Sequence, residues 1–249
     1  DAKPPEFLLT HPVTESRIAD TRNRAEQARL GGAEDSLRYQ LIRARVQLNY
    51  EETPGLAAKR FRVQLDENPN NDVARYGLAI AQIKGSQFKD ARDNLKRLLD
   101  KSPNDITYNL AQIELDMASN QLDDAQKRVE RMRTLYPGNY PLNQARVDLL
   151  LKQNRAGEAD KALEALLKSR PNDPDVWYSV AETRGLSGNI IGLHQARAEY
   201  FALVGDYRQA LQQLDLAKKL TNNFQLLSRI DARQRDLLDE ERSIKDMMN

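Results

Sequence analysis

ARDNLKRLLDKSPND, residues 91–105, is the stretch on which the fold turns. It returns in altered form as AAKRFRVQLDENPNN at 57–71, AQKRVERMRTLYPGN at 125–139 and ADKALEALLKSRPND at 159–173, each copy displaced by 34 residues. Three columns stay in register: an opening alanine (Ala57, Ala91, Ala125, Ala159), a large apolar residue four positions on (Phe61, Leu95, Val129, Leu163), and a proline (Pro69, Pro103, Pro137, Pro171). Residues four apart share one face of a helix. A small side chain there lets a second helix approach closely, and the larger one a turn later fills the space beneath. Proline has no N–H and drives the residue before it out of helical geometry, so it ends that helix. In Pro103-Asn104-Asp105-Ile106 and Pro171-Asn172-Asp173-Pro174 an aspartate then offers a cap for the next helix, and Pro174 suits its first turn.

A 34-residue period of paired helices is that of the tetratricopeptide (TPR) repeat, which implies an all-α fold, a right-handed α-α superhelix. Helices A and B of each unit fall within 38–71, 72–105, 106–139 and 140–173, and Trp177 takes the aromatic position of a fifth helix A. The register then slips. Gly188 and Gly205 lie half a repeat apart, and helices are expected at 175–186, 190–203 and 206–220, with Gly205 to Ala210 reproducing the turn and opening of a helix B. A charged helix over 223–246, carrying Leu226, Leu227, Ile230, Leu237 and Leu238, would cap the stack. The expected domains are a non-repeat segment 1–34, repeats over 35–222 and the cap at 223–249.

Length and composition agree with this. At 249 residues the chain exceeds the usual single core, but repeats add units without thickening one. Its 38 basic and 37 acidic residues leave a net charge of +1, so no global field draws in nucleic acid. The absence of cysteine removes disulfides, thiolate-held zinc and thiol catalysis together. No run approaches the roughly 18 apolar residues of a membrane span. Asp1-Ala2-Lys3-Pro4-Pro5 has neither a start Met nor an apolar signal core, which suggests a piece of a longer protein.

The front segment is extended and Pro-rich, then helical over about 14–28 with Thr14 as its cap, and Gly31-Gly32 is a hinge before the repeats. Pro4-Pro5-Glu6-Phe7-Leu8-Leu9-Thr10-His11-Pro12, followed by Glu15 to Asp20 and Arg22 to Ala25, resembles the end of the protease domain in BepA-type periplasmic zinc metallopeptidases. Ala196-Arg197-Ala198-Glu199 and the run through Ala202, Leu203 and Gly205 to Ala210 are similar to the same family. The close resemblance covers about 20 residues at the front and about 15 near the back. It implies a parent with a signal peptide, a zinc protease domain and a C-terminal TPR domain. That parent would sit in the periplasm, with the β-barrel assembly machinery and outer-membrane protein clients as partners. Its chaperone role would be to promote assembly of those clients and to degrade stalled ones. The reading kept beside it is a stand-alone TPR adaptor with no protease.

A peptidase of that type needs His-Glu-x-x-His on a helix, two imidazoles on one face beside a general-base glutamate. The chain has two histidines, His11 and His194, and neither precedes a glutamate. The fragment is therefore not catalytic by that mechanism, and the zinc's main ligands would lie outside it. By resemblance His11 would reach the zinc of the intact protein as an extra ligand and hold the protease off, with Pro12 and Arg17 supporting its loop. The residues alone also allow a solvated loop histidine. His194 reads as an ordinary helix-surface or packing residue, and the dispersed carboxylates as solvated faces. The expected partner-binding surface is a concave groove at positions 2, 5, 9 and 12 of each helix A. These are Tyr39, Ile42, Val46 and Asn49, then Val73, Tyr76, Ile80 and Ile83, then Thr107, Leu110, Glu114 and Met117, then Pro141, Gln144, Asp148 and Leu151. The alternative reading is that some of these side chains pack against the terminal helices or the protease domain.

Overall fold

Helix starts and stops follow the punctuation of the repeat. The structure, a computed structural model, describes residues 35–248 together with Ala19. Among the described residues are twelve α-helices and no strand. They are α1 (Leu37–Gln47), extended by a short 3₁₀ turn at Leu48–Tyr50, α2 (Pro54–Glu67), α3 (Asp72–Lys84), α4 (Phe88–Lys101), α5 (Ile106–Ala118) and α6 (Leu122–Leu135). After these come α7 (Tyr140–Lys152), α8 (Ala156–Ser169), α9 (Pro174–Leu186), α10 (Ile190–Leu203), α11 (Tyr207–Lys219) and α12 (Phe224–Met248). The chain divides into compact units of residues 1–40 and 41–249, and the stack belongs to the second.

Two kinds of turn alternate. From helix B to the next helix A, each proline follows the end of α2, α4, α6 or α8 and a capping side chain follows the proline. Asn71, Asp105 and Asn139 accept from Ala74, Tyr108 and Leu142 N–H at 3.0, 2.9 and 3.2 Å, and Asp173 from Asp175 N–H at 3.0 Å. These four caps are a further column with the same period, of which the two aspartates were legible beforehand. Each satisfies an N–H that helix geometry leaves without a partner, typically worth about 1 kcal/mol.

From helix A to helix B the chain passes through one residue in the left-handed region: Ser86 (φ 57), Asn120 (φ 60), Asn154 (φ 59) and Gly188 (φ 76). The N–H beyond it reaches back to a carbonyl inside the finished helix, as Gln87 does to Gln82 at 2.8 Å and Asn189 to Arg184 at 2.9 Å. Gly205 (φ 84) makes the same turn between α10 and α11, with Asp206 N–H on Phe201 O at 2.8 Å. Thus α9, α10 and α11 are joined by two A-to-B turns in succession with no proline turn between them. That is the physical form of the slipped register.

The columns do the packing expected of them. Ala57, Ala91, Ala125 and Ala159 have no exposed surface, and neither do Leu95, Val129 and Leu163, while Phe61 is 2% exposed. One core cluster runs from Leu41 to Leu115, and three more follow along the stack. Burial of each large side chain contributes about 1.5–3 kcal/mol. The first unit carries the largest filler, Phe61, and the helix facing it carries Gly77, where the next two units have Ala111 and Ala145 opposite Leu95 and Val129. A methyl at Gly77 would collide with the Phe61 ring.

Gly77→Ala should therefore destabilise the protein by about 1–3 kcal/mol in thermal or urea unfolding, although alanine is the better helix former. Adding Phe61→Leu, which recreates the Leu95–Ala111 pairing, should recover most of the loss. A single variant as stable as the parent chain would show that the ring yields freely.

Candidate functional site

The helices that open each hairpin lie side by side, α3 against α5 and α5 against α7. Their shared face is the surface on which the sequence placed a groove. On α1 that face is open: Ile42 is 51% exposed, Val46 47% and Tyr39 52%, and Asn49 is exposed too. They stand beside a buried stripe of Leu41, Ala44 and Leu48 that anchors the helix. On α3 the expectation of an open apolar surface is corrected. Tyr76, Ile80 and Ile83 are at most 5% exposed and belong to the core, leaving Val73 half-buried at the rim. The reason is that α3 is packed by its own hairpin partner α4 and by the neighbouring α2 and α5, so little of its circumference is left. On α5 and α7, Thr107, Leu110, Glu114, Met117, Gln144 and Leu151 are half-buried, and Pro141 and Asp148 are exposed.

A residue the sequence reading missed organises this surface. Arg45 donates from Nη1 to the Tyr76 hydroxyl at 3.2 Å and from Nη2 to Glu114 Oε2 in an ion pair, linking the first, second and third units. Burial works against its charge, but Tyr76 and Glu114 outweigh it, and the guanidinium is held above its ordinary pKa. Burial likewise pushes the Tyr76 hydroxyl up, against the pull of Arg45. Arg45 and Glu114 are 69 residues apart, two repeats plus one, and that near-match to the period was the one signal that could have paired them. One turn along α1, Asn49 accepts from Lys84 Nζ at 2.9 Å. Further along, exposed Asp148 accepts a hydrogen bond from Gln144 Nε2 at 3.0 Å.

The assignment of the carboxylates to solvated faces fails at Asp116, which is 1% exposed. It accepts from Arg92 Nη1 at 2.9 Å and Gln112 Nε2 at 2.8 Å, and Arg128 Nε lies 3.8 Å away. It thus ties helix B of the preceding unit and helix B of its own unit to one buried charge. His194 is half-buried, with Nδ1 2.8 Å from Gln213 Oε1 across α10 and α11, a packing contact. His11, Pro12 and Arg17 lie outside the described residues.

Among the described residues no cluster of histidines and carboxylates could hold a metal ion. A shallow hollow lined by Tyr207, Asp236, Asp239, Glu240, Ser243 and Ile244 gathers three carboxylates. Glu240 is already paired with Arg233 at 2.8 Å and Asp239 with Arg242 at 3.4 Å, so it does not present paired carboxylates to a substrate. What the arrangement offers is a long, mixed apolar and charged surface.

Comparison with known proteins agrees with the repeat fold. Residues 50–113 and 116–182 match the family model described as Tetratricopeptide repeat. Over 103 residues the chain is 36% identical to the Beta-barrel assembly-enhancing protease of Escherichia coli, and 34% identical to that of Yersinia pestis. The aligned stretch is 39% of this chain and 20% and 21% of those proteins, so the match spans about a fifth of their length. Among solved structures, a tetratricopeptide repeat protein from Parabacteroides merdae superposes with a TM-score of 0.50 at 14% identity, covering 90% of this chain and 80% of that one. PilF of Pseudomonas aeruginosa does so with a TM-score of 0.50 at 15% identity, covering 78% and 96%. At such identities the likeness is one of fold.

Beneath the surface, Tyr108 is 2% exposed, packs its ring 6.1 Å from that of Tyr76, and leaves its hydroxyl without a hydrogen-bond partner among the described residues. Burial, then Asp72 and Asp105, pushes its pKa up to about 12 from 10.0. Between those values the folded chain keeps a proton that the unfolded chain has lost, so stability falls as pH rises from 10 toward 12. Tyr108→Phe should remove that part of the alkaline loss and cost nothing at neutral pH, because it deletes an unsatisfied polar group. A neutral-pH loss of 2 kcal/mol or more, of the order given for breaking a strong hydrogen bond, would mean the hydroxyl has a partner after all.

Proposed function

The chain belongs to the tetratricopeptide repeat family, and from that premise we propose that it is the protein-holding arm of a zinc metalloprotease and chaperone. In this reading the parent acts in the periplasm, docks on the β-barrel assembly machinery, and assists outer-membrane β-barrel proteins or degrades those that stall. The observation that carries it is the 36% identity over 103 residues to proteins named as β-barrel assembly-enhancing proteases. The open face of α1, with Ile42 and Val46 beside Arg45, suits a partner that presents both apolar and polar groups. The zinc is a property of the parent. The described residues do not supply its site, and His11 is the group of this chain proposed to reach it and restrain the protease.

Two measurements test this. Replacing Ile42 and Val46 together with serine should weaken capture of the β-barrel assembly machinery by the intact protein while leaving helical content unchanged, since both side chains are about half exposed. Unaltered capture would remove the groove from the interaction. Tyr76→Ala is not an equivalent probe, because a buried aromatic truncated to alanine costs about 3–5 kcal/mol of stability. In the intact protein His11→Ala should raise proteolysis of a stalled client. Unchanged or lower proteolysis would refute the restraining role, and a parent gene encoding no His-Glu-x-x-His would refute the protease reading as a whole.

A further inference from the structure

The 34-residue register exposes an anomaly at the C-terminal end of the stack. At the turn that closes helix A, the second to fourth units place Lys84, Ala118 and Lys152, whereas the same register holds Tyr50, 85% exposed, at the front of the stack, and Leu186, 72% exposed, and Leu220, 50% exposed, toward its C-terminal end. At the start of the following helix, Phe88, Leu122 and Ala156 are half-buried, whereas Ile190 is 45% exposed and Phe224 80%. Helices α9 to α12 follow one another through short connections and so run antiparallel in turn. The α9–α10 and α11–α12 turns therefore emerge on the same edge, and four large apolar side chains project there with no described residue covering them.

The charge on this edge is predominantly positive. Residues 183–198 and 216–230, which form the two turns and the adjoining helix ends, contain no aspartate or glutamate, although the chain has 37. They carry Arg184, Arg197, Lys218, Lys219 and Arg229. Arg184 and Lys218 have acidic partners in Asp160 and Asp231, while Lys219 is exposed at the turn itself. The opposite edge of the same helices is acidic at Asp173, Asp175 and Asp206. Exposed apolar side chains flanked by an excess of cations, two of the five already paired with Asp160 and Asp231, match the chemistry of a bilayer surface, whose acyl boundary takes the apolar groups and whose anionic headgroups take the cations.

We propose that this edge rests on a membrane surface containing anionic lipid, with Phe224 and Leu220 entering the headgroup boundary and Lys219 contacting the headgroups. No helix among the described residues is long and apolar enough to cross a membrane, so the contact is superficial. The partner surface is distinct from the groove on α1, and the proposal stands independently of the protease reading.

Co-sedimentation of the chain with phosphatidylcholine vesicles, with and without phosphatidylglycerol, tests it. Binding should require phosphatidylglycerol and weaken as salt rises. Leu220→Ser combined with Phe224→Ser should lower the partition by about tenfold or more. Lys219→Glu should lower it on phosphatidylglycerol-containing vesicles, and Val204→Ser, at an exposed position on the opposite edge, should leave it unchanged. Absence of binding to phosphatidylglycerol vesicles would overturn the proposal, as would equal binding by the Leu220→Ser, Phe224→Ser variant. A dimer in solution that this variant converts to a monomer would assign the edge to a second copy of the chain instead.

Discussion

Everything in this molecule depends on how closely two helices of a hairpin can approach at one alanine. Ala57, Ala91, Ala125 and Ala159 have no exposed surface, and a larger group there would push the helix axes apart. Because every unit uses the same contact at the same height, the next hairpin meets the same shape each time and stacking continues. The filler one turn later adapts to its own surroundings. Phe61 is accommodated by a glycine where smaller fillers face an alanine, so volume is conserved within the pair while its members vary.

The stack is regular only while its turns alternate. Once Gly188 and Gly205 put two A-to-B turns in succession, helix α10 becomes the inner member of two hairpins, and the alanine–filler pair reappears half a repeat late as Ala210 and Leu214. From there the core is carried by Ala198, Ala202, Ala217, Ile230 and Leu237, with α12 covering it from the far side. The small side chains of this last cluster allow close helix packing but bury less apolar area per residue than the leucine-rich first units.

What could be read from the sequence was what the backbone repeats. Alanine, filler, proline and capping aspartate each answer a local requirement that recurs every unit, so a single chain displays them several times over. Side-chain burial on helix A was not legible. Tyr76 and Ile42 occupy equivalent register positions, yet one is walled in by neighbouring helices and the other lies on the first helix, open on that side. Asp116 was hidden for the same reason. A carboxylate four residues from a polar neighbour looks solvated until Arg92 and Arg128 are seen to converge on it from two other helices. The Arg45–Glu114 pair joins units that are not adjacent, and no local pattern announces such a contact.

That pair alters how the stack comes apart. In a solenoid whose units touch only their neighbours, each unit can fray from the end while the rest remains folded. Here a bond that skips a unit, laid over a core cluster continuous from Leu41 to Leu115, adds a direct tie between the first and third units. The open apolar face of α1 is thereby mounted on a helix that Arg45 holds to the second and third units, so a partner bound there pulls on more than the hairpin it touches.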